Sequence, residues 1–262
     1  MNVDYSLTDS VAEIVLNDPA KLNALDEAAL AALSAAFTRA AEEGARAVIL
    51  RGEGRAFCAG RDISQVDPAT DDAFGYLDSI VTPVLRQISE FPAPTFAVAT
   101  GACLGVGLGL LVASDVVYVA DTAKIGSPFA NLGATLDSGG HALFFERLGA
   151  HRTLDLIYTA ELMTGAEAVA LGLFSRVLPE SEVLEFTRER AARAARGATG
   201  AFLASKKLVQ RLRDERIGLW ESIADENRAQ GELCASDDYA EGFAAFQEKR
   251  RPVFGAGRPT DA

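Results

Sequence analysis

Two short stretches of this chain carry residues whose types and spacing could do chemistry. The first is Gly101-Ala-Cys-Leu-Gly105-Val-Gly107-Leu-Gly109, where glycine recurs at every second position before an apolar run. Glycine lets backbone approach backbone closely, and a helix opened by glycines presents free N–H groups with a favourable dipole. Such a stretch can hold negative charge developing on an oxygen. The second is Leu136-Asp137-Ser138-Gly139-Gly140. A lone carboxylate in apolar surroundings is pushed toward its protonated form by desolvation, which suits a proton carrier. An acid followed by Ser-Gly-Gly and an apolar helix also fits a helix N-cap, so both roles stay open. Other chemistries fit poorly. Gly105-Val-Gly107-Leu-Gly109 departs from the dinucleotide fingerprint because position 110 is Leu, and no phosphate-binding P-loop is present. Asp137, Ser138 and His141 crowd one turn without a nucleophile elbow, which argues against a hydrolytic triad.

The elements that must position these residues follow from periodicity and turn chemistry. Val3–Leu7 and Val11–Leu16 alternate as paired strands joined through Thr8-Asp9-Ser10, and Asn17-Asp18-Pro19 breaks the second. Asp26 can cap a helix from Glu27 to about Glu42 that turns Leu30, Leu33 and Phe37 to one face. Ala47–Arg51, Thr95–Ala99 and Val116–Ala120 read as short buried strands. A helix is expected from about Ala73 to Glu90 and an apolar one over Leu108–Ala113. Strand–helix alternation with short glycine turns implies an α/β core with crossover connections. Beyond Gly139 the pattern is helical: His141–Leu148, Thr153–Ala160, Ala166–Leu171, Ser181–Arg196, Gly200–Arg213, Leu219–Leu233 and Asp238–Lys249, interrupted by a strand over Phe174–Leu178. The tail Gly255–Ala262 is expected to be disordered.

The bulk numbers narrow the partners. The 262 residues carry a net charge of −12, so a basic face for nucleic acid is not expected. No apolar run approaches the ~20 residues of a membrane span, and the first residues lack the basic and apolar regions of a secretory signal. A cytoplasmic protein is expected. Cys58, Cys103 and Cys234 are far apart and odd in number, and only His141 and His151 are present, so neither a disulfide framework nor a metal site is expected.

Several segments together carry a family resemblance. Asn17-Asp18-Pro19-Ala20-Lys21-Leu22-Asn23-Ala24-Leu25 resembles the N-terminal loop of the crotonase (enoyl-CoA hydratase/isomerase) superfamily. Arg55-Ala56-Phe57-Cys58-Ala59-Gly60-Arg61-Asp62-Ile63 resembles its F-C-A-G-x-D-L signature, and Thr164-Gly165-Ala166-Glu167-Ala168 through Gly172-Leu173 a later one. With the glycine stretch, Ser127-Pro128-Phe129 and the Asp137 segment, the match runs from about residue 3 to 253. It implies a ClpP/crotonase-like α/β fold, a spiral core of ββα repeats over residues 1–198 holding the acyl-CoA site. A helical trimerisation region over 199–262 would build a homotrimer or dimer of trimers. It further implies an acyl-CoA thioester substrate and no separate cofactor.

Carried over residue by residue, the resemblance makes the backbone N–H groups of Arg61 and Val106 an oxyanion hole. Lys21, Asn23, Ala24, Arg55, Ala59, Gly60, Asp62 and Ile63 fall at coenzyme A or substrate positions, with Asp62 mainly structural in the family. Gly105, Gly109, Phe129 and Leu132 line the acyl side. Enoyl-CoA hydratases carry glutamates where this chain has Gly109 and Phe129; both are missing. Asp137 matches the single catalytic acid of the phenylacetate-pathway ring-1,2-epoxyphenylacetyl-CoA isomerase branch, which also has Phe at the second glutamate position. That pattern predicts an isomerase moving a proton with one carboxylate, and weak hydration. Two alternatives remain: a 4-chlorobenzoyl-CoA dehalogenase-like hydrolase with Asp137 as nucleophile, whose histidine base is replaced here by Arg86, and an idle acyl-CoA binder with Asp137 as a cap. His141 departs from the branch and is expected to pack under the pocket. Phe74, Tyr76, Leu77 and Ile80 either shape the acyl pocket or belong to the core.

Overall fold

A computed structural model describes residues 2–64 and 66–255. The chain opens with an antiparallel hairpin of β1 (Asn2–Thr8) and β2 (Val11–Asn17), paired from Asn2↔Asn17 to Thr8↔Val11. Asp9 and Ser10 both take positive φ, 49° and 63°, the geometry that lets a two-residue turn follow the twist of its strands. Helix α1 (Glu27–Glu42) follows, and the Asp26 carboxylate accepts from the Ala29 N–H at 2.7 Å, the expected cap.

From there the sheet grows by parallel addition. β3 (Ala47–Gly52), β4 (Thr95–Ala99), β6 (Val116–Ala120) and β9 (Arg176–Leu178) extend it in the order β1-β2-β3-β4-β6-β9. The middle strands are apolar throughout because both faces are covered. Val48, Leu50, Ala97 and Ala99 face the main core with α1, whereas Ala47, Ile49, Phe96 and Val98 pack with Val183, Ala191 and Ala195 of α7 (Glu180–Ala195). Three strands of two or three residues were not expected from sequence: β5 (Ala102–Leu104), β7 (Lys124–Gly126) and β8 (Met163–Thr164) form a second sheet in the order β5-β7-β8. β4 and β6 in the large sheet are each followed directly by a short strand of the small one, and β4–β5 then leads into α4 (Val106–Ala113). The small sheet sets the entry to that helix.

The helix expected over 73–90 is segmented: α2 (Ala73–Gly75), a π-helical stretch Tyr76–Val81, and α3 (Thr82–Ser89). The Thr82 hydroxyl donates to the Leu77 carbonyl five residues back, at 2.8 Å, inside the widened turn. Helix α5 (Gly140–Thr159) is broken at Gly149 (φ 72°, ψ 173°), which accounts for the two helices expected there. Helix α6 (Gly165–Ala170) carries a reciprocal cap between Thr164 and Glu167. The last helices are α8 (Thr199–Glu215), α9 (Leu219–Leu233) and α10 (Asp237–Gln247). α8 is tied back to the body where Lys206 donates to Asp115 at 3.0 Å and to the Phe91 carbonyl at 3.1 Å. Among the described residues no helix is long and apolar enough to cross a membrane. The expectation for the tail beyond Gly255 lies outside the described residues.

Candidate active site

Two loops distant in sequence are zipped together by one parallel β-bridge. Cys58 pairs with Cys103: the Cys58 N–H donates to the Ala102 carbonyl at 2.9 Å, and the Leu104 N–H donates to the Cys58 carbonyl at 3.0 Å. The approach continues to Gly60, which packs against Leu104 and Gly105. The two glycines permit this approach. A Cβ on Gly60 would lie 2.9 Å from the Leu104 carbonyl oxygen, and one on Gly105 would lie 3.0 Å from the Phe129 ring. Gly105 also holds φ 53° and ψ −123°, a conformation side chains disfavour. The chain then enters α4, whose first turn has free N–H groups. Neither the Arg61 N–H nor the Val106 N–H donates to a described residue. Two unspent backbone donors, one of them at the head of a helix, are the kind of group that an oxyanion hole uses.

The carboxylate stands on the loop before α5. The helix is capped by Gly139, with no side-chain cap, so Asp137 is not its N-cap. Instead its Oδ1 is buried without a hydrogen-bond partner, as is the neighbouring Ser138 hydroxyl. Burial pushes the Asp137 pKa above its usual 3.8, moderated by Ser138 and by the charge of His141. Ser138 sits at φ 52°, an uncommon conformation for a non-glycine residue and the kind of strain found at functional sites. His141 is exposed rather than packed under the pocket, since it lies on the outer side of the first turn of α5. Its influence on the site is electrostatic.

The two empty glutamate positions have steric explanations. A Cβ on Gly109 would lie 2.5 Å from the Ser138 Cβ, so the Asp137–Ser138 loop occupies the space such a side chain would need. Phe129, in a short 3-10 turn Phe129–Leu132, places its ring edge against Gly105. Gly109, Ser138 and Gly139 also form the inner wall of a large open cavity of about 1520 Å³ between α3, α4, α5 and α8, with Leu85, Val112, Leu143 and Phe202 among its apolar lining.

The residues expected to meet coenzyme A divide sharply. Asn23 is fully buried and its amide is spent on the protein: Oδ1 accepts from the Asp18 N–H at 2.8 Å, and Nδ2 donates to the carbonyls of Glu53 and Ala56 at 3.0 and 2.8 Å. It shapes the loop and has no side-chain capacity left for a ligand. Ala59 and Gly60 are held on that loop through the Ala59 N–H to Leu22 O, 3.0 Å, and the Leu25 N–H to Gly60 O, 2.7 Å. Ala24 lies between these contacts. Lys21 is exposed but pairs with Asp62 at 2.7 Å, and the lysine, together with the Ser64 N–H, holds the Asp62 carboxyl well below the usual carboxylate range. Arg55 is exposed, and Ile63 and Leu132 present exposed apolar side chains. Arg86 lines the large cavity.

Sequence reasoning left Tyr76 between pocket and core and did not single out Ser138. The positive φ of Ser138 depends on tertiary packing, and its only sequence signal was its place between Asp137 and two glycines. Of the three residues grouped with Tyr76, Phe74 is exposed, while Leu77 and Ile80 pack against the core.

With this geometry in view, the comparisons agree. The family model described as Enoyl-CoA hydratase/isomerase matches residues 6–257. A Rhodobacter capsulatus protein named "Probable enoyl-CoA hydratase" is 35% identical over 252 residues, covering 96% of this chain and 97% of that protein. The crystal structure of an enoyl-CoA hydratase subunit from Geobacillus kaustophilus is similar with a TM-score of 0.88 at 32% identity, covering 97% of this chain and 98% of the other. The enoyl-CoA hydratase from Bacillus anthracis is similar with a TM-score of 0.87 at 28% identity, covering 97% and 98%.

Proposed function

The chain belongs to the enoyl-CoA hydratase/isomerase family, and from this premise we propose that it is an isomerase working with one carboxylate. The thioester carbonyl oxygen accepts from the N–H groups of Arg61 and Val106. Asp137, ionised, takes a proton from C2; the electron pair moves onto the oxygen as an enolate held by the two donors. Asp137 then returns the same proton at C4, and a 3-enoyl thioester becomes a 2-enoyl thioester. A carboxylate is a weak base for such a carbon acid, so the enolate must be stabilised by about the 10²–10³ in rate that one such donor contributes. A substrate that carries a ring epoxide beyond C2, as the resemblance to the phenylacetate branch implies, would use the same base and hole.

The observation that carries this reading is the buried, unpartnered Oδ1 of Asp137 in a site whose two other acid positions are Gly109 and Phe129. Hydration needs an activated water and a positioned acid, and one carboxylate supplies only one of these roles at a time. The relatives named hydratases bear on the family and leave this choice open. A hydrolase reading is disfavoured because Arg86 stands in place of a histidine base, and a guanidinium offers donors but no acceptor. An idle binder with Asp137 as a cap is disfavoured by Gly139 holding the cap position. A homotrimer is part of the same proposal; Trp220 and Phe246, 80% and 84% exposed on α9 and α10, are the apolar surface it would cover.

The test is ultraviolet absorbance of the conjugated thioester formed from a 3-enoyl-CoA, native protein against Asp137→Asn, with a 2-enoyl-CoA offered in parallel. Conjugation that the variant loses, with little hydration by the native protein, supports the proposal. Hydration faster than conjugation overturns it.

A further inference from the structure

One buried polar group near the candidate base has no task in that mechanism. Tyr76 is only 6% exposed and its side chain belongs to the main core cluster, yet its hydroxyl has no hydrogen-bond partner. A phenol hydroxyl taken out of water without a partner costs free energy, and buried tyrosines ordinarily find an acceptor. Replacement by phenylalanine would remove that cost at once, so an orphaned donor here needs a reason.

Three further features bear on what the hydroxyl faces. First, Tyr76 opens the π-helical stretch Tyr76–Val81; single widened turns of this kind occur mostly at functional sites, because they re-aim a side chain out of helical register. Second, the ring is clamped. The Arg61 guanidinium carbon lies 4.1 Å from the ring centroid, and that guanidinium is itself fixed by a forked pair with Asp71 at 2.7 and 3.0 Å. The residue whose N–H forms half of the oxyanion hole therefore holds Tyr76 with its side chain. Third, the phenol shares its surroundings with the base. Burial pushes its pKa above the usual 10, Arg61 pulls it back, and Cys58 and Asp137 add to the rise, so the phenol keeps its proton at neutral pH and can donate it. An acceptor oxygen brought by a ligand would give this donor its partner.

We propose that Tyr76 is a substrate-binding residue that sets specificity: its hydroxyl donates to an oxygen on the acyl chain, and the site selects oxygen-bearing acyl thioesters over plain hydrocarbon ones. The proposal deepens the acyl-CoA reading of the same site and rests on it, but it does not depend on the double-bond shift. The thioester oxygen already has its two backbone donors, so the acceptor for Tyr76 is a second oxygen, carried as a keto, hydroxyl or ether group beyond C2. A site that buries a donor for such a group discriminates against the ligand that lacks it, because the donor is then left unpaired.

Calorimetric titration with acetoacetyl-CoA and butyryl-CoA, which have the same chain length and differ in the C3 oxygen, tests this on the full-length protein. Native protein should bind acetoacetyl-CoA at least ten-fold tighter. Tyr76→Phe should bring the two affinities within about two-fold of each other, by weakening acetoacetyl-CoA binding, tightening butyryl-CoA binding, or both. A native protein with no preference, a Tyr76→Phe variant that keeps it, or one that loses both ligands equally would each overturn the proposal, the last by making Tyr76 a wall of the pocket. Because these are binding measurements, they stand apart from the conjugation assay. A collapsed preference with no isomerisation would sink the isomerase reading alone, and isomerisation with an unchanged preference would sink this one alone.

Discussion

The two sides of the candidate site are built in opposite ways. On the side of the Asn17–Ile63 loops the polar side chains are largely satisfied within the protein: Asn23 spends its amide on three backbone groups, Lys21 pairs with Asp62, and Arg61 with Asp71. What that side leaves free is backbone, the N–H group of Arg61, which the proposed function pairs with that of Val106 at the head of α4. On the acyl side the reverse holds. Asp137 Oδ1, the Ser138 hydroxyl and the Tyr76 hydroxyl are three of the four buried side-chain polar atoms without a partner among the described residues. Folded proteins pair nearly all such groups, so a cluster of orphans marks where a ligand completes the bonding. The comparison separates a pre-satisfied frame from an unsatisfied face, on which the proposed chemistry and selectivity rest.

The largest effect that would test this division is on the unsatisfied face. Asp137→Asn keeps the shape and removes the base, and the rate of conjugation should fall by about 10³-fold or more with acyl-CoA affinity changed only a few-fold. If both fell together, Asp137 would belong to the frame. Next comes the frame itself. Gly105→Ala forces a side chain into φ 53°, ψ −123° and against Phe129, so the peptide before Val106 must turn. Loss of that donor should cost about 10² in rate even though no side chain on the substrate has been altered. An unchanged rate would remove Val106 from the hole.

Gly109→Glu restores a residue type found in hydratases and should still fail to create one. Its Cβ would lie 2.5 Å from that of Ser138, so the Asp137 loop must move; overpacking of this kind costs about 1–3 kcal/mol. A 2-enoyl-CoA assay showing hydration at the level of isomerisation would refute the steric argument. The smallest effect concerns pH. Because burial raises the Asp137 pKa above 3.8, the folded state binds that proton more tightly than the unfolded chain. Stability is therefore lost as pH rises through the window from 3.8 to the raised value, and the loss persists above it. Asp137→Asn should thus melt higher than the native protein at neutral pH, and the difference should close below the ordinary carboxylate pKa. In the same window the native rate should climb with pH as the base ionises. A variant melting lower at neutral pH would show Asp137 to be a stabilising, paired group.

Much of the frame was legible in the residues. Asp26 before an amphipathic run fixed the start of α1, and alternation gave the hairpin. The glycine-rich and F-C-A-G segments pointed to the family because their residue types are tied to backbone geometry that few alternatives satisfy. What stayed hidden was short or non-local. Strands of two or three residues such as β5 and β8 have no room for a period, so the second sheet carried no signal. The π turn at Tyr76 leaves the apolar pattern of a helix intact while re-aiming one side chain. His141 could not be placed because one side chain at a helix start is turned inward or outward by the loop before it.

By itself, then, the sequence determined the α/β class, the presence of a single acid where relatives have others, and the glycines at 60 and 105, since these follow from local periodicity and from residue types with strong conformational demands. Only the tertiary structure decided that the Gly60 loop meets Gly105, that Gly139 and not Asp137 caps α5, and that Tyr76 keeps an unpaired donor. Each of those depends on which distant backbone a residue meets, and burial and pairing are properties of that meeting rather than of the residue.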